Sequence, residues 1–272
     1  LRAREDGLAV ATQGRAFWVL DDLWTVRQAS NEHADKPLHL YTPPSWVMGK
    51  PSSRPGDFEG GNPSPNVPLY YVIRDDVGEH AELRIEIIDS AGDVVRTMSS
   101  AESEQERCET GNNDPRRPVE HKYAPVEQGF NKWSWNMKSE DVPCIDNIKL
   151  HAGYSGPSVA PGRYTARVTL GDETREASFT IVKDPRSFAS DAEIADWVQT
   201  MSDVKALLGK SLETLDEARR AREQIKVLLA EHDDADLHAL GRPAIDEIGG
   251  WEARITQLKH ETYEDEDAWA TM

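Results

Sequence analysis

Residues 161–182 read PGRYTARVTL, then GD, then ETREASFTIV. Tyr164, Ala166, Val168 and Leu170 alternate with Thr165, Arg167 and Thr169. Beyond Gly171-Asp172, Ala177, Phe179 and Ile181 alternate with Ser178 and Thr180. Two period-two runs joined by a Gly-Asp turn predict a β-hairpin. The alternation gives it one buried and one wet face, so a second sheet has to cover the apolar side. The covering strands are expected upstream. Residues 69–73 (LYYVI) give the first, residues 83–98 (LRIEIIDSAGDVVRTM) the next, and GFNKWSWN supplies Trp133 and Trp135 on one face. The sequence therefore predicts a fold of mainly β plus α class. An antiparallel, Ig-like β-sandwich over 69–98 and 129–182 lies at its centre.

At 272 residues the chain has room for one large domain or two modest ones with a real core. It carries 49 acidic against 31 basic residues, a net charge of −18. So acidic a surface repels a phosphate backbone, which argues against a nucleic-acid partner. It suits solubility in salt or a cationic partner. No run reaches the roughly 18 apolar residues a membrane span needs. Residue 1 is Leu, and the chain opens inside a strand pattern with no charged-then-apolar leader. It reads as a fragment or processed product, with export of a longer parent left open.

Residues 7–20 (GLAVATQGRAFWVL) hold two apolar runs, Leu8-Ala9-Val10 and Phe17-Trp18-Val19-Leu20, around a turn containing Gly14. This is a second predicted hairpin, and it is too apolar to stand alone in water. It has to pair with the sandwich or with strands outside this chain. GLAVATQGRAFWVLDDL resembles the closing β-propeller strands of bacterial sortilin-like (VPS10-type) BNR-repeat proteins, a family often labelled glycosyl hydrolases. Gln13 stands where that family commonly has His. The order that follows also matches: a Pro-rich linker, a sandwich with the Trp133/Trp135 strand, APG-x-Tyr164, and a helical tail after Asp184-Pro185-Arg186. The repeats that name the family are absent. The resemblance implies a propeller of the same parent protein as partner and an extracellular or periplasmic setting. The segment with IIDSAGDVVRT, GFNKWSWN and APGRYTARV also resembles the Ig-like module of flagellar hook-capping proteins.

Four regions are expected: 1–28, a propeller-blade hairpin; 29–68, a Pro-rich connector; 69–183, the sandwich; and 184–272, an acidic helical hairpin. Eight of the 16 prolines lie between Lys36 and Pro68, a density that excludes helix and central strand. Trp46, Val47, Met48 and Phe58 are expected to pin this connector along a surface. The polar stretch between Ser99 and Gln128 exceeds the length of an ordinary loop, so it is surface decoration or a docking loop. After Pro185, Ser190 and Glu193 make a capping box. Ile194, Trp197, Met201, Val204, Leu208, Leu215, Ile225 and Leu229 follow at 3-4 spacing, interrupted at Ser211 and Arg222. Asp233-Asp234 ends this helix. Gly241 and Pro243 reset the chain before a second helix with Ile245, Ile248, Trp251, Ile255 and Leu258. From Asp184 onward 21 acidic residues face 10 basic ones.

Motifs of known chemistry are missing. The chain has no G-x-S-x-G, P-loop, dinucleotide-binding glycines, H-E-x-x-H or C-x-x-C, so no catalytic residue and no cofactor is expected. The best metal candidate is HDDADLH: His232, Asp233, Asp234, Asp236 and His238 could ligate a cation, or serve a polar turn with capping aspartates. Asp21-Asp22 and Glu140-Asp141 are the neighbouring carboxylates for glycoside chemistry, but both end strand patterns. Trp46, Trp133, Trp135, Tyr154 and Tyr164 could stack on sugars, yet core is the default for a face shared by Trp133 and Trp135. Cys108 and Cys144 either bridge or stay free; bridging needs the long loop to fold back on the strand after Trp135. The functional expectation is a non-catalytic accessory segment bracing a propeller and contacting a protein or glycan partner. A carbohydrate-binding module is the alternative, and a glycoside hydrolase fragment the third.

Overall fold

The computed structural model describes residues 2–4, 7–14, 17–29, 36–49, 65–74, 82–101, 123–143, 145 and 154–256. The fold is mixed β plus α, with several sheets and a long C-terminal helical region. The chain divides into two compact units. One comprises Leu1–Ser103, Lys122–Glu140 and Ser158–Val198, and the other Glu104–His121, Asp141–Pro157 and Gln199–Met272.

In the first unit, β1 (Arg2–Arg4), β2 (Gly7–Ala11) and β3 (Phe17–Leu20) form a three-stranded antiparallel sheet, followed by the short helix α1 (Leu23–Gln28). The remaining strands are β4 (Leu38–Leu40), β5 (Trp46–Met48), β6 (Val67–Ile73), β7 (Leu83–Ile88), β8 (Val94–Ser99), β9 (Gly129–Trp135), β10 (Gly162–Leu170) and β11 (Glu173–Lys183). They make a five-stranded sheet of order β5-β11-β10-β7-β8 and a three-stranded sheet of order β4-β6-β9. The β10–β11 hairpin pairs Ala166 with Ala177, and Gly171 takes the positive φ of 56° that its turn requires. Leu83, Ile85, Ile87, Val168, Phe179 and Ile181 from the five-stranded sheet are buried. They share one apolar cluster with Leu38, Val67, Leu69, Tyr71, Ile73, Trp133 and Trp135 from the three-stranded sheet.

Several features depart from the sequence reading. Residues 29–68 are more than a connector: β4 and β5 each supply an edge strand, and β5 runs parallel to β11 rather than antiparallel. A three-residue strand at an edge pairs on one side, which Pro-flanked sequence tolerates. Pro68 lies inside β6, the middle strand of its sheet. However, β4 pairs only with Tyr71–Ile73, so at Pro68 the strand has β9 alone beside it and the missing N–H costs no ladder bond there.

In the helical region, α2 (Asp191–Glu231) and α3 (Ala235–Ile255) are joined by three residues. The capping box forms: Ser190 N–H donates to Glu193 Oε2 (2.7 Å) and Glu193 N–H to Ser190 Oγ (3.2 Å). α2 runs unbroken through Ser211, whose hydroxyl bonds back to the Leu207 carbonyl. α3 begins before Gly241 and Pro243 rather than after them. Gly241 is in place because a Cβ there would lie 2.9 Å from Leu229 Cδ2, so packing overrides the propensity of both residues. Within the range 69–183, Val142, Ile145 and Tyr154 belong to the helical unit instead, buried with Leu212 and Leu215 of α2. Among the described residues, no helix is long and apolar enough to cross a membrane.

Candidate functional site

A well-connected polar group of the first unit lies just after β3, in Leu20-Asp21-Asp22-Leu23-Trp24. Asp22 adopts the left-handed conformation (φ 58°, ψ 36°), which a short polar side chain tolerates better than most. Its carbonyl accepts from Thr25 N (3.1 Å) and Thr25 Oγ1 (3.0 Å), starting α1. That turn frees the carboxylate to reach across to β6 and β9. Tyr70 Oη donates to Asp22 Oδ2 (2.5 Å), Lys132 Nζ lies 3.5 Å from the same oxygen, and Trp24 Nε1 donates to Oδ1 (3.4 Å).

Rings close over this contact. Trp24 meets Tyr70 edge-on (5.5 Å between centroids), Phe130 stacks on Tyr70 (5.0 Å), and Lys132 Nζ sits 5.0 Å from the Tyr70 centroid. Trp24, Tyr41 and Tyr70 form a small buried cluster on the sheet face opposite the main core. At the far end of α1, Gln28 clasps Thr42 both ways, Nε2 to the carbonyl (2.8 Å) and Oε1 from the N–H (2.9 Å). Burial, and next its bond to Asp22, pushes the Tyr70 hydroxyl above its ordinary value. Burial pulls Lys132 down, but Tyr70 and Asp22 outweigh it and hold the ammonium above its usual value. Such an arrangement keeps Lys132 charged and Tyr70 protonated, so its chemistry is that of a joint. It fixes the exit of the β1–β3 sheet to the β4-β6-β9 sheet.

The sugar-stacking candidates do not assemble. Trp135 is fully buried, edge-on to Tyr164 (5.4 Å) and Phe179 (6.2 Å), and donates Nε1 to the Lys138 carbonyl (2.9 Å). Trp133 is buried in the same cluster, and Tyr154 is buried in the other unit. None of these three rings has a face to offer a ligand. Trp46 is half-buried, its Nε1 donating to the Pro65 carbonyl (2.8 Å). Tyr164 donates its hydroxyl to the Ala160 carbonyl (2.6 Å).

Of the candidate carboxylates, Asp22 is engaged as above, and Glu140 and Asp141 accept from backbone. Glu140 Oε1 accepts from Thr97 N–H and Asp141 Oδ1 from Gly156 N–H (3.1 Å). In HDDADLH, Asp234 caps α3 by accepting from the N–H groups of Asp236 (2.9 Å) and Leu237 (3.2 Å), and His238 Nε2 donates to the His232 carbonyl (3.0 Å). Among the described residues, no group of three or more His, Cys, Asp or Glu side chains gathers to hold a metal ion. Cys108 and Cys144 lie outside the described residues.

A cleft of about 340 Å³ is lined by Gln28, Lys36, His39, Thr42, Arg175 and Glu176. Its main polar groups are already engaged, Gln28 with Thr42 and Arg175 with the Leu38 carbonyl (3.1 Å) and Glu173 (2.7 Å). The joint itself escaped the sequence reading. Asp22, Tyr70 and Lys132 are 48 and 62 residues apart along the chain, and nothing local marks them as partners. The outward position of Lys132, between Trp133 and Asn131 of β9, was the available signal. Comparison with known proteins finds no matching protein-family model and no matching curated protein.

Proposed function

We propose that this chain is a non-catalytic accessory segment that braces a β-propeller of its parent protein. In this reading β1–β3 complete a propeller blade and β4–β11 form an Ig-like sandwich. The helices α2 and α3 make an antiparallel hairpin whose acidic surface serves assembly. The observation that carries it is the exposure of β3. Trp18 and Val19 are each 65% exposed and Leu20 is 50% exposed. Successive strand residues point to opposite faces, so the sheet presents apolar side chains on both. A strand apolar on both faces suits a sheet covered on both sides, as a blade between neighbouring blades is. The Asp22 joint supports the brace, because it ties the exit of that sheet to β6 and β9 of the same unit.

Hydrogen exchange tests this reading. Amides of residues 7–20 are expected to be more protected when the propeller is present than in the chain alone. Fast exchange in both states overturns it.

One observation favours a carbohydrate-binding module instead: Phe130 is 57% exposed above Tyr70, beside Lys132. Glycan-array binding that is lost in Phe130→Ala would favour the module; a brace binds no glycan.

A further inference from the structure

Glu252 of α3 is a buried carboxylate, 2% exposed. Arg219 and Arg222 of α2 hold it from the side: Arg219 Nε lies 2.7 Å from Oε1, and Arg222 donates through Nη1 to Oε2 (2.5 Å). The two arginine side chains are themselves largely shielded from solvent. Their pull outweighs the cost of burial and keeps the Glu252 carboxyl below its ordinary value, so it stays ionised.

The apolar residues of these helices leave their mutual position loosely specified. Leu212 and Leu215 are buried, yet Val204, Leu207, Val227 and Leu228 of α2 and Leu240 and Ile255 of α3 are exposed. Apolar side chains therefore occur on several faces, so burial by itself selects weakly among positions along the helix. The charge contact does not share this tolerance. Sliding α3 by one turn, about 5.4 Å, would break the paired contact: the arginines stand about 4.5 Å apart along α2, so the desolvated carboxylate could keep one counter-charge and would lose the other. Gly249 and Gly250 stand just before Glu252, so the contact acts where the helix is intrinsically weakest.

We propose that the Arg219–Glu252–Arg222 triad is a register lock, fixing the one position along α2 at which α3 seats. It specifies the seat more than it strengthens the packing. The contact between Gly241 and Leu229 agrees with the same seat, since a side chain at 241 would collide with it. The lock stands independently of the bracing role proposed above.

The test uses the full chain with Cys108→Ser and Cys144→Ser, and spin labels at the exposed positions Lys226→Cys and Asp246→Cys. The parent is expected to give one narrow inter-label distance. Arg219→Met/Arg222→Met/Glu252→Leu replaces the triad by apolar groups of similar size. It is expected to fold and to broaden or split that distance. A single narrow distance at the parent value overturns the proposal. Should the triple variant fail to fold, Glu252→Gln is decided by the same readout: a broadened distance supports the lock, and an unchanged narrow one overturns it.

Discussion

The two units of this protein solve burial in different ways. The sheets around β6 and β10 bury nearly every inward residue of a period-two pattern, and their shared cluster is apolar throughout. The helical unit buries few residues on α2, and at Glu252 it buries a charge with two counter-charges. Strand alternation assigns each side chain to one of two faces, so a slip of one residue would invert the whole pattern and register is set by burial alone. A helix offers its apolar residues over a range of angles, so burial constrains its position less. The difference teaches that specificity has to come from somewhere. The sheets take it from the pleat, and the helices take it from a polar contact and a close-packed glycine.

This contrast can be broken or sharpened by substitution. Phe179→Ala empties a site in contact with Trp135 and Tyr164 and is expected to cost about 3–5 kcal/mol. Urea unfolding measures it, and a loss under about 1 kcal/mol would contradict the core assignment. Glu252→Gln leaves two arginines facing a neutral amide and is expected to cost about 1–3 kcal/mol, since both are partly solvated. It should appear as lost helical signal in circular dichroism, with the β core intact. Equal loss in both signals would make the two units one cooperative block.

Asp234→Ala removes the cap of α3 and is expected to cost about 1 kcal/mol, read from the melting temperature. If calcium, manganese or zinc raises that temperature in the parent and not in Asp233→Ala/Asp234→Ala, the turn is a metal site as well. Tyr70→Phe keeps the stacking on Phe130 but drops the bond to Asp22, for about 0.5–1.5 kcal/mol. Faster hydrogen exchange at residues 23–28 is the expected signature of a loosened joint.

A further effect is alkaline. Burial pushes the Tyr164 hydroxyl up to about 12, with Asp89 adding to it, and burial pushes Tyr71 higher still. A folded pKa above the unfolded one stabilises fully below the unfolded value, about 10, and the contribution is lost as pH rises through the folded value. Urea midpoints are therefore expected to fall between about pH 10 and 12, less steeply in Tyr164→Phe than in the parent.

The sequence by itself determined the strands with clean alternation. Residues 83–88, 129–135 and 162–182 were legible because a period of two is local, and so were the Ser190–Glu193 cap and the break between the helices at Asp233-Asp234. Tertiary structure alone decided that β4 and β5 of the Pro-rich stretch complete two sheet edges, because an edge strand is made by its neighbour more than by its own propensity. It also decided that α3 runs through Gly241 and Pro243, where contact with Leu229 outweighs two weak helix formers. Long-range polar partners lay outside local pattern altogether. Nothing local in the sequence pairs Asp22 with Tyr70 and Lys132, or Glu252 with Arg219 and Arg222. They become a joint and a lock only when folding removes the water that would otherwise solvate them.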